Sequence, residues 1–300
     1  MKKVVLVTIC LNPTYWPYLV QMVESARKFF LQGHQVDFIC WSDIPLEKSG
    51  DEIAAQIAQA WQQRVLNFAQ KTHLHDFIRQ NTPTKERLEK LGIKIISTQP
   101  FDWPLPTLYR YHLFLKEEEL LNEYDCAYYC DADMEFVSRV GDEVLPVKGL
   151  VGAQHPMYAI KRGLIPPYEP NIESAAYIER PGRVVEEGGK KKFEPLYFAG
   201  GFQGGNTQEF IKAMKVMKER IDSDFSKNYI AIWNDETHWN KYLHEVSPEV
   251  VLNPSYVYPD SLNRAYYIPL WGKNYTPKII TITKPFSLSI EGGLAIQTTT

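Results

Sequence analysis

The pattern of hydrophobic positions near the start of the chain predicts a strand, then a helix, then a second strand. The run KVVLVTIC at residues 3–10 is continuous and rich in β-branched residues, which is typical of a parallel strand covered on both faces. From Tyr18 to Phe30 the apolar positions repeat with a helical period, and Gly33 follows as a stop signal. QVDFICWSD, residues 35–43, predicts the second strand. This order predicts an open α/β sheet, whose ligands bind beyond the carboxyl ends of the strands.

The rest of the chain continues the alternation of strands and helices. Residues 47–92 are more polar and predict a helical insertion, and a further helix is predicted over 107–118. Residues 161–196 are rich in Pro, Gly and charge and predict loops. Asn206, with a glutamate three residues later, has the spacing of a capping box, and another helix begins near Asn234. We therefore expect one α/β domain over most of the chain.

Composition narrows the classes of function. The 300 residues are 44% hydrophobic, enough for a sizeable core, and the formal net charge is -3. This charge excludes the broad basic field that nucleic-acid binding needs. Aromatic residues make up 13%, with 18 Tyr and 7 Trp, which agrees with carbohydrate binding without requiring it.

The cysteines and the hydropathy of the chain indicate the cellular compartment in which the protein is expected. Cys10, Cys40, Cys126 and Cys130 form no C-x-x-C pair and lie in apolar runs, so we interpret them as buried thiols in a reducing, cytoplasmic protein. The apolar run at the start ends too early for a signal peptide, and no stretch approaches the roughly 18–20 apolar residues that a membrane span needs.

The stretch AYYCDADMEFV contains two acids at the end of a predicted buried strand. Asp131 and Asp133 lie two residues apart, so an extended backbone would aim both carboxylates the same way. Hard oxygen ligands at a strand end suit Mn²⁺ or Mg²⁺ bridging a diphosphate. The pattern also resembles the nucleophile motif of haloacid-dehalogenase-type phosphatases. However, the position after Met134 is Glu135, where that motif has Thr or Val.

Two later segments are further candidates. In IWNDETHWNKYL, Asp235 and Glu236 fall in the first turn of a predicted helix, where the helix dipole favours an ionised carboxylate. Glu236 would then serve as a nucleophile or stabilise an oxocarbenium ion, although an ordinary acidic helix start has the same pattern. In YFAGGFQGGN, residues 197–206, four glycines allow the backbone to approach a ligand closely, but the pattern matches neither a Walker nor a Rossmann motif.

Together these segments resemble family 6 glycosyltransferases, the family of the histo-blood-group A and B transferases and the α-1,3-galactosyltransferase. The family pattern D-x-D-M-x-F is found at residues 131–136, and H-P-x-(F/Y) at 155–158. The block G-G-x-x-G-G is found at 200–205, and W-x-D-E-x-x-x-N-K-Y at 233–242. The resemblance runs from about residue 3 to residue 284. It implies a GT-A type single-domain nucleotide-sugar-binding fold with a mixed central sheet over 1–284, in which 47–92 is a helical insertion. Residues 285–300 are mostly small and polar, and this composition predicts a mobile tail.

The resemblance implies a retaining transfer of GalNAc or galactose from a UDP-sugar to the 3-OH of a galactose-terminated oligosaccharide, in an α-1,3 linkage. Mn²⁺ or Mg²⁺ would be held by Asp131 and Asp133, and Glu236 would be the catalytic carboxylate. Small residues at the donor-discriminating positions, Ala199 and Gly201, favour UDP-GalNAc because an acetamido group needs volume. The other implied donor contacts are Ile9, Cys10, Tyr15, Arg110, Gly200, Asp235 and Lys284, and the implied acceptor contacts are Trp103, His155 and Trp233.

Departures from the family pattern leave alternatives open. Bacterial members commonly have Asn-x-Asn in place of the acidic pair and work without metal, whereas this chain keeps both aspartates. An arginine that follows the tail lysine in mammalian members has no equivalent after Lys284. The lack of an anchor and stem is expected of a soluble microbial or phage-type member. The alternatives are the phosphatase and a catalytically silent sugar-binding module, which would not need Asp131, Asp133 and Glu236 together.

Overall fold

The computed structural model describes residues 1–62, 71–159, 166–179, 181, 183–187, 190–194, 196–260 and 275–284. The predicted tail, 285–300, lies outside these described residues. The strands are β1 Lys3–Cys10, β2 Gln35–Ser42, β3 Ile93–Ser97, β4 Cys126–Cys130, β5 Met134–Phe136, β6 Leu150–Gln154, β7 Arg183–Glu187, β8 Lys190–Glu194, β9 Phe198–Asn206, β10 Val250–Leu252, β11 Tyr258–Pro259 and β12 Ile279–Thr281. The helices are α1 Trp16–Phe29, α2 Gly50–Gln62, α3 Lys71–Asn81, α4 Lys85–Lys90, α5 Leu105–Leu108, α6 Arg110–Leu115, α7 Glu118–Leu121, α8 Thr207–Ser226 and α9 Asn234–Val246.

A mixed central sheet organises the molecule, as predicted. Its strand order in the described part of the chain is β10-β6-β9-β4-β1-β2-β3. β1 pairs in parallel with β2 and β4, and β9 runs antiparallel between β4 and β6. Because β1 and β4 are parallel neighbours, the residues that follow them, including the acidic pair, meet at the same edge of the sheet.

The core has a layer on each face of the sheet, which explains the unbroken hydrophobic run of β1. Val4 and Leu6 pack into one cluster, with α1 and α2, whereas Val5 and Val7 pack into the other, with α6, α8 and α9. Side chains alternate along a strand, so a strand covered on both faces needs an apolar residue at every position.

Several predicted elements differ in detail. The helix predicted over 107–118 is divided among α5, α6 and α7, and part of the segment predicted as loops forms the hairpin β7–β8. Asn206 is confirmed as the N-cap, because its side chain accepts hydrogen bonds from the backbone N–H groups of Gln208 and Glu209. The reciprocal half of the predicted capping box is not formed, since the Asn206 N–H donates to the Gly149 carbonyl at 2.9 Å. None of the helices within the described residues combines the length and the apolar character needed to cross a membrane.

Candidate active site

A cavity of about 420 Å³ lies beyond the carboxyl ends of β1 and β4. Two widely separated parts of the chain, the end of β1 and the acidic pair, both line it. The predicted ligand contacts that line it are Ile9, Tyr15, Trp103, Arg110, Asp131, Asp133 and Lys284. The fold thus brings together most of the residues predicted to bind the donor nucleotide.

The acidic pair occupies a turn between β4 and β5, so the expected extended backbone was wrong. The Met134 N–H donates to the Asp131 carbonyl at 3.2 Å and closes the turn. Both ends of the turn are anchored: the Asp131 N–H donates to the Gly201 carbonyl at 2.9 Å, and the Ile282 N–H donates to the Asp133 carbonyl at 3.0 Å. Both carboxylates still line one cavity, because two sheets hold the turn in place.

Each aspartate of the pair has a cationic neighbour. Arg110 Nη1 lies 3.7 Å from Asp131 Oδ1, and the Lys284 ammonium forms an ion pair with Asp133. Tyr129 also donates its hydroxyl to Asp131. These partners offset the cost of placing two anions close together in a partly buried turn.

Arg110 is a buried bridge between two acidic segments. Its Nη2 donates to Asp235 Oδ1 at 3.2 Å, and its guanidinium lies 4.1 Å from the centre of the Tyr129 ring. The side chain is 4% exposed, so its main contacts are protein carboxylates. Arg110 was predicted to contact the donor; the geometry also gives it the task of holding Asp131 and Asp235 in a fixed relation.

Asp235 and Glu236 lie in the first turn of α9, as predicted. The Gly200 N–H donates to Glu236 Oε2 at 2.7 Å. Burial raises the pKa of Glu236 to about 7, although the Gly200 N–H opposes the shift. The expected effect of the helix dipole, full ionisation at neutral pH, is therefore outweighed by the loss of hydration.

The Asp235 side chain is buried and is hydrogen-bonded to other side chains of the protein. Its Oδ2 accepts a hydrogen bond from the Tyr111 hydroxyl at 3.4 Å, in addition to the bond from Arg110. Burial raises the pKa of Asp235 to about 6, while the neighbouring guanidinium acts in the opposite direction. Its predicted contact with the donor sugar remains a prediction.

A second cavity, of about 230 Å³, lies beside Glu236 and shares Asp131 with the first. It is lined by Asp131, Met134, His155, Pro156, Ala199, Gly201, Glu236, Val257, Pro259 and Thr281. The last three lie in or next to β11 and β12, which form a small sheet with β5. No sequence motif marks these short strands, so the three residues were not predicted; only the tertiary structure brings them to Glu236.

The three predicted acceptor residues are spread over the cleft. Trp103 lines the first cavity and is 63% exposed, whereas His155 lines the second. Trp233 precedes α9 and is 44% exposed. Burial lowers the pKa of His155 to about 4, and its Nδ1 accepts from the Met157 N–H at 3.2 Å. The neutral ring therefore carries its hydrogen on Nε2, where it can be donated to a sugar hydroxyl.

Cys10 differs from the other predicted donor contacts. It is 1% exposed and belongs to the hydrophobic core, and its backbone carbonyl accepts the Ser42 hydroxyl at 2.6 Å. The thiol therefore packs inside the protein and does not face the cavity. The four cysteines are buried and unpaired, as expected.

The acidic pair fits a divalent cation on the grounds of its donor atoms. Carboxylate oxygens are hard ligands, and Asp133 already accepts a cationic group, the Lys284 ammonium. Among the described residues no cluster of three or more His, Cys, Asp or Glu side chains is arranged to hold a metal. Further ligands would have to come from a phosphate-bearing substrate and from water, as is usual for Mg²⁺-type sites.

The amino-acid sequence also matches known proteins. The family described as glycosyltransferase family 6 matches residues 112–273, more than half of the chain. Histo-blood group ABO system transferase 1 from Rattus norvegicus is 27% identical over 248 residues, which cover 83% of this chain and 59% of the relative. O-antigen biosynthesis glycosyltransferase WbnI from Escherichia coli is 26% identical over 190 residues, covering 63% and 72%. Globoside alpha-1,3-N-acetylgalactosaminyltransferase 1 from Homo sapiens is 25% identical over 256 residues, covering 85% and 60%. The chain thus spans only about 60% of the length of the two animal relatives.

Proposed function

Because the chain belongs to glycosyltransferase family 6, we propose that it moves GalNAc or galactose from a UDP-sugar to the 3-OH of a galactoside, in an α-1,3 linkage and with retention. One observation carries the proposal: Asp131, the first residue of the acidic pair, and Glu236 line the same cavity of about 230 Å³, which shares Asp131 with the cavity that Asp133 lines. The cytoplasm is the proposed location, in agreement with the four unpaired thiols.

The first cavity is proposed to hold the nucleotide. Uridine would lie against Ile9 and Tyr15, and the diphosphate would lie near Asp131, Asp133 and Lys284. The two aspartates would hold Mn²⁺ or Mg²⁺, which when bound would stabilise the charge of the departing UDP. The Lys284 ammonium would leave Asp133 and supply a second positive charge to the diphosphate.

Glu236 is proposed to act on the anomeric carbon. Either its carboxylate attacks this carbon as a nucleophile, or it stabilises the positive charge that develops there. Both roles require the ionised form. The Gly200 N–H holds Oε2, and the Tyr197 hydroxyl is a second polar neighbour of the carboxylate.

The donor preference is proposed to be UDP-GalNAc. Ala199 and Gly201 both line the second cavity, and neither carries a side chain larger than a methyl group. A Cβ added at Gly201 would lie 2.8 Å from Asp131 Oδ2, so even alanine would require the Asp131 carboxylate to shift. His155 and the exposed indoles of Trp103 and Trp233 are the proposed acceptor contacts, for either a fucosylated or an unsubstituted terminal galactose.

A single assay tests the proposal. The chain is mixed with UDP-GalNAc or UDP-Gal, Mn²⁺ and a panel of galactosides, and the release of UDP and the linkage of the product are measured. We expect acceptor-dependent UDP release that is lost in EDTA, and an α-1,3 linked product. No UDP release with either donor would reject the proposal. Phosphate release from a simple ester would instead favour a phosphatase, and sugar binding without turnover would favour a silent module.

A further inference from the structure

One buried side chain ties α9 to β9 immediately behind the cavity. Asn240 is 1% exposed, and its Oδ1 accepts from the Phe198 N–H at 2.8 Å. Its Nδ2 donates to the Phe198 carbonyl and to the Glu236 carbonyl, each at 2.8 Å. The amide thus uses both of its hydrogens and its oxygen, and it connects one residue of β9 with one residue of α9.

The same two elements meet again two residues further along β9. Gly200 donates its N–H to Glu236 Oε2, and a Cβ added at Gly200 would lie 3.2 Å from the Glu236 Cβ. Asn240 therefore fixes the backbone of Glu236, while Gly200 fixes its carboxylate. Both residues connect α9 to β9. The distance between this helix and this strand therefore determines how far the Glu236 carboxylate reaches into the cavity.

Helix propensity gives no reason for an asparagine in this place. Asparagine is among the less favourable residues in a helix interior, because its amide competes with the backbone for hydrogen bonds. Here the amide also bonds across to Phe198, which lies next to Ala199 in the wall of the second cavity. The asparagine is therefore explained by its tertiary contact with β9 beside the second cavity, and not by the stability of the helix.

We propose that Asn240 is a positioning residue, which holds the Glu236 carboxylate at the depth where it meets the anomeric carbon. This inference rests on the proposed function, in which Glu236 is the catalytic carboxylate. Asn240 itself touches no substrate. Without its bonds to Phe198, α9 can shift along β9, and a misplacement of about 1 Å can cost on the order of 10²-fold in rate.

The test uses the near-isosteric substitution Asn240→Asp, which removes the Nδ2 donor and keeps the shape of the side chain. We expect kcat to fall on the order of 10²-fold for both transfer and donor hydrolysis. The KM for the donor and the Kd for UDP are expected to stay within about twofold of wild type, because the nucleotide cavity is built from other elements. A loss of kcat that merely follows a loss of UDP binding would overturn the inference.

Asn81→Asp is the matched control. Asn81 is also buried in a helix and donates its Nδ2 to the carbonyl four residues earlier, Phe77, at 2.9 Å, but it lies in α3, in the insertion. We expect this variant to lose stability without losing kcat. Asn240→Ser is the second variant in case Asn240→Asp does not fold. Its hydroxyl can still bond the Glu236 carbonyl within the helix but is too short to reproduce the pair of bonds to Phe198.

A double variant separates positioning from general support of the fold. If Asn240 acts only through Glu236, Glu236→Gln combined with Asn240→Asp is no slower than Glu236→Gln alone. A further drop in rate, or near wild-type kcat in folded Asn240→Asp, would overturn the inference. An inactive wild-type chain would instead reject the proposed function and this inference with it, so the two failures are distinguishable.

Discussion

At the residue scale, burial and the helix dipole act in opposite directions on Glu236. The first turn of a helix stabilises a carboxylate by roughly 0.3–1 kcal/mol, whereas one pKa unit corresponds to roughly 1.4 kcal/mol. The pKa of Glu236 nevertheless rises to about 7, so the loss of hydration is the larger effect. A carboxylate that titrates near neutral pH makes the reaction sensitive to pH in the physiological range.

The first prediction concerns this pH dependence. Glu236 must be ionised to act, and it is protonated below its pKa, so we expect kcat/KM for the donor to fall as the pH drops through about 7. Initial rates of UDP release at donor concentrations well below KM, measured between about pH 5.5 and pH 8.5, will show this limb, because kcat/KM reports the pKa of the free enzyme. Glu236→Gln is expected to lose on the order of 10³-fold in kcat.

The control for Glu236→Gln is Glu245→Gln, which removes a carboxylate from the other end of α9. Glu245 pairs with Arg220 and Lys241, far along the helix from the cavity. Its substitution should leave both kcat and the pH profile unchanged. A wild-type kcat/KM for the donor that stays level across the acidic half of the pH range would contradict the assignment of Glu236.

The second prediction concerns the ion pair between Lys284 and Asp133. Lys284→Met frees the Asp133 carboxylate, so in the absence of nucleotide we expect Mn²⁺ to bind about fivefold more tightly, as an ion pair of about 1 kcal/mol implies. With UDP present, the loss of a positive charge near the diphosphate should weaken nucleotide binding instead. Titration calorimetry measures both effects.

Lys278→Met serves as the matched control, since Lys278 pairs with Glu143 and belongs to neither cavity wall. It should leave both affinities unchanged. If Lys284→Met bound Mn²⁺ no better than wild type, the ion pair would not compete with the metal.

At the scale of elements, the start of α9 is tied to the segment 166–179 by a buried carboxylate. Glu169 is 2% exposed and accepts hydrogen bonds from the Asn171 N–H and the Ile232 N–H, both at 2.9 Å, and from the Tyr229 hydroxyl. Ile232 immediately precedes Trp233, a proposed acceptor contact. The segment therefore holds the backbone next to Trp233, on the proposed acceptor side of the cleft.

The third prediction follows from this anchor. Glu169→Gln places an N–H₂ group against a backbone N–H, and an unsatisfied buried donor costs about 1–3 kcal/mol. We expect a lower Tm and a raised KM for the acceptor, whereas hydrolysis of the donor alone should continue at nearly the wild-type rate. Thermal melts together with the two kinetic assays distinguish these effects.

The exposed carboxylate of Glu173 lies in the same segment, so Glu173→Gln is the matched control and should change neither Tm nor KM. Equal losses of transfer and donor hydrolysis in Glu169→Gln would show that Glu169 supports the whole cleft and not the acceptor side alone.

At the scale of the whole molecule, the cleft is assembled from two sheets, the central sheet and the small sheet of three strands. The central sheet supplies the ends of β1, β4 and β9, and the small sheet of β5, β11 and β12 closes the second cavity from the other side. A ligand that contacts several of these elements stabilises the folded state of all of them, by an amount that depends on its concentration relative to its Kd.

The fourth prediction uses this linkage to test the metal. UDP at about 100 times its Kd should stabilise the fold by about 2.7 kcal/mol and raise Tm. Mn²⁺ should strengthen the effect of UDP and not that of UMP, which lacks the second phosphate. Asp133→Asn should abolish the Mn²⁺-dependent part of the UDP effect. The change in Tm caused by each nucleotide is measured with Mn²⁺ and with EDTA. If the change caused by UDP is the same in both, the acidic pair does not hold a metal.

The local features of this protein follow from the sequence alone. The unbroken apolar run of β1, the cap at Asn206 and the acidic first turn of α9 are predicted from neighbouring residues and are found in the structure. They are predictable because strand alternation, helix period and capping depend on residues a few positions apart. The grouping of Asp131, Asp133 and Glu236 was inferred from motifs, and their roles remain proposals.

Only the tertiary structure decided what surrounds these residues. Arg110 and Asp235 are 125 positions apart in the chain, and their ion pair exists because α6 and α9 meet behind the cleft. The turn at the acidic pair, the pKa of Glu236 and the wall formed by Val257, Pro259 and Thr281 depend in the same way on distant segments. Side chains lose hydration and gain hydrogen-bond or ionic partners only when such segments pack together. A local sequence pattern therefore does not predict these features.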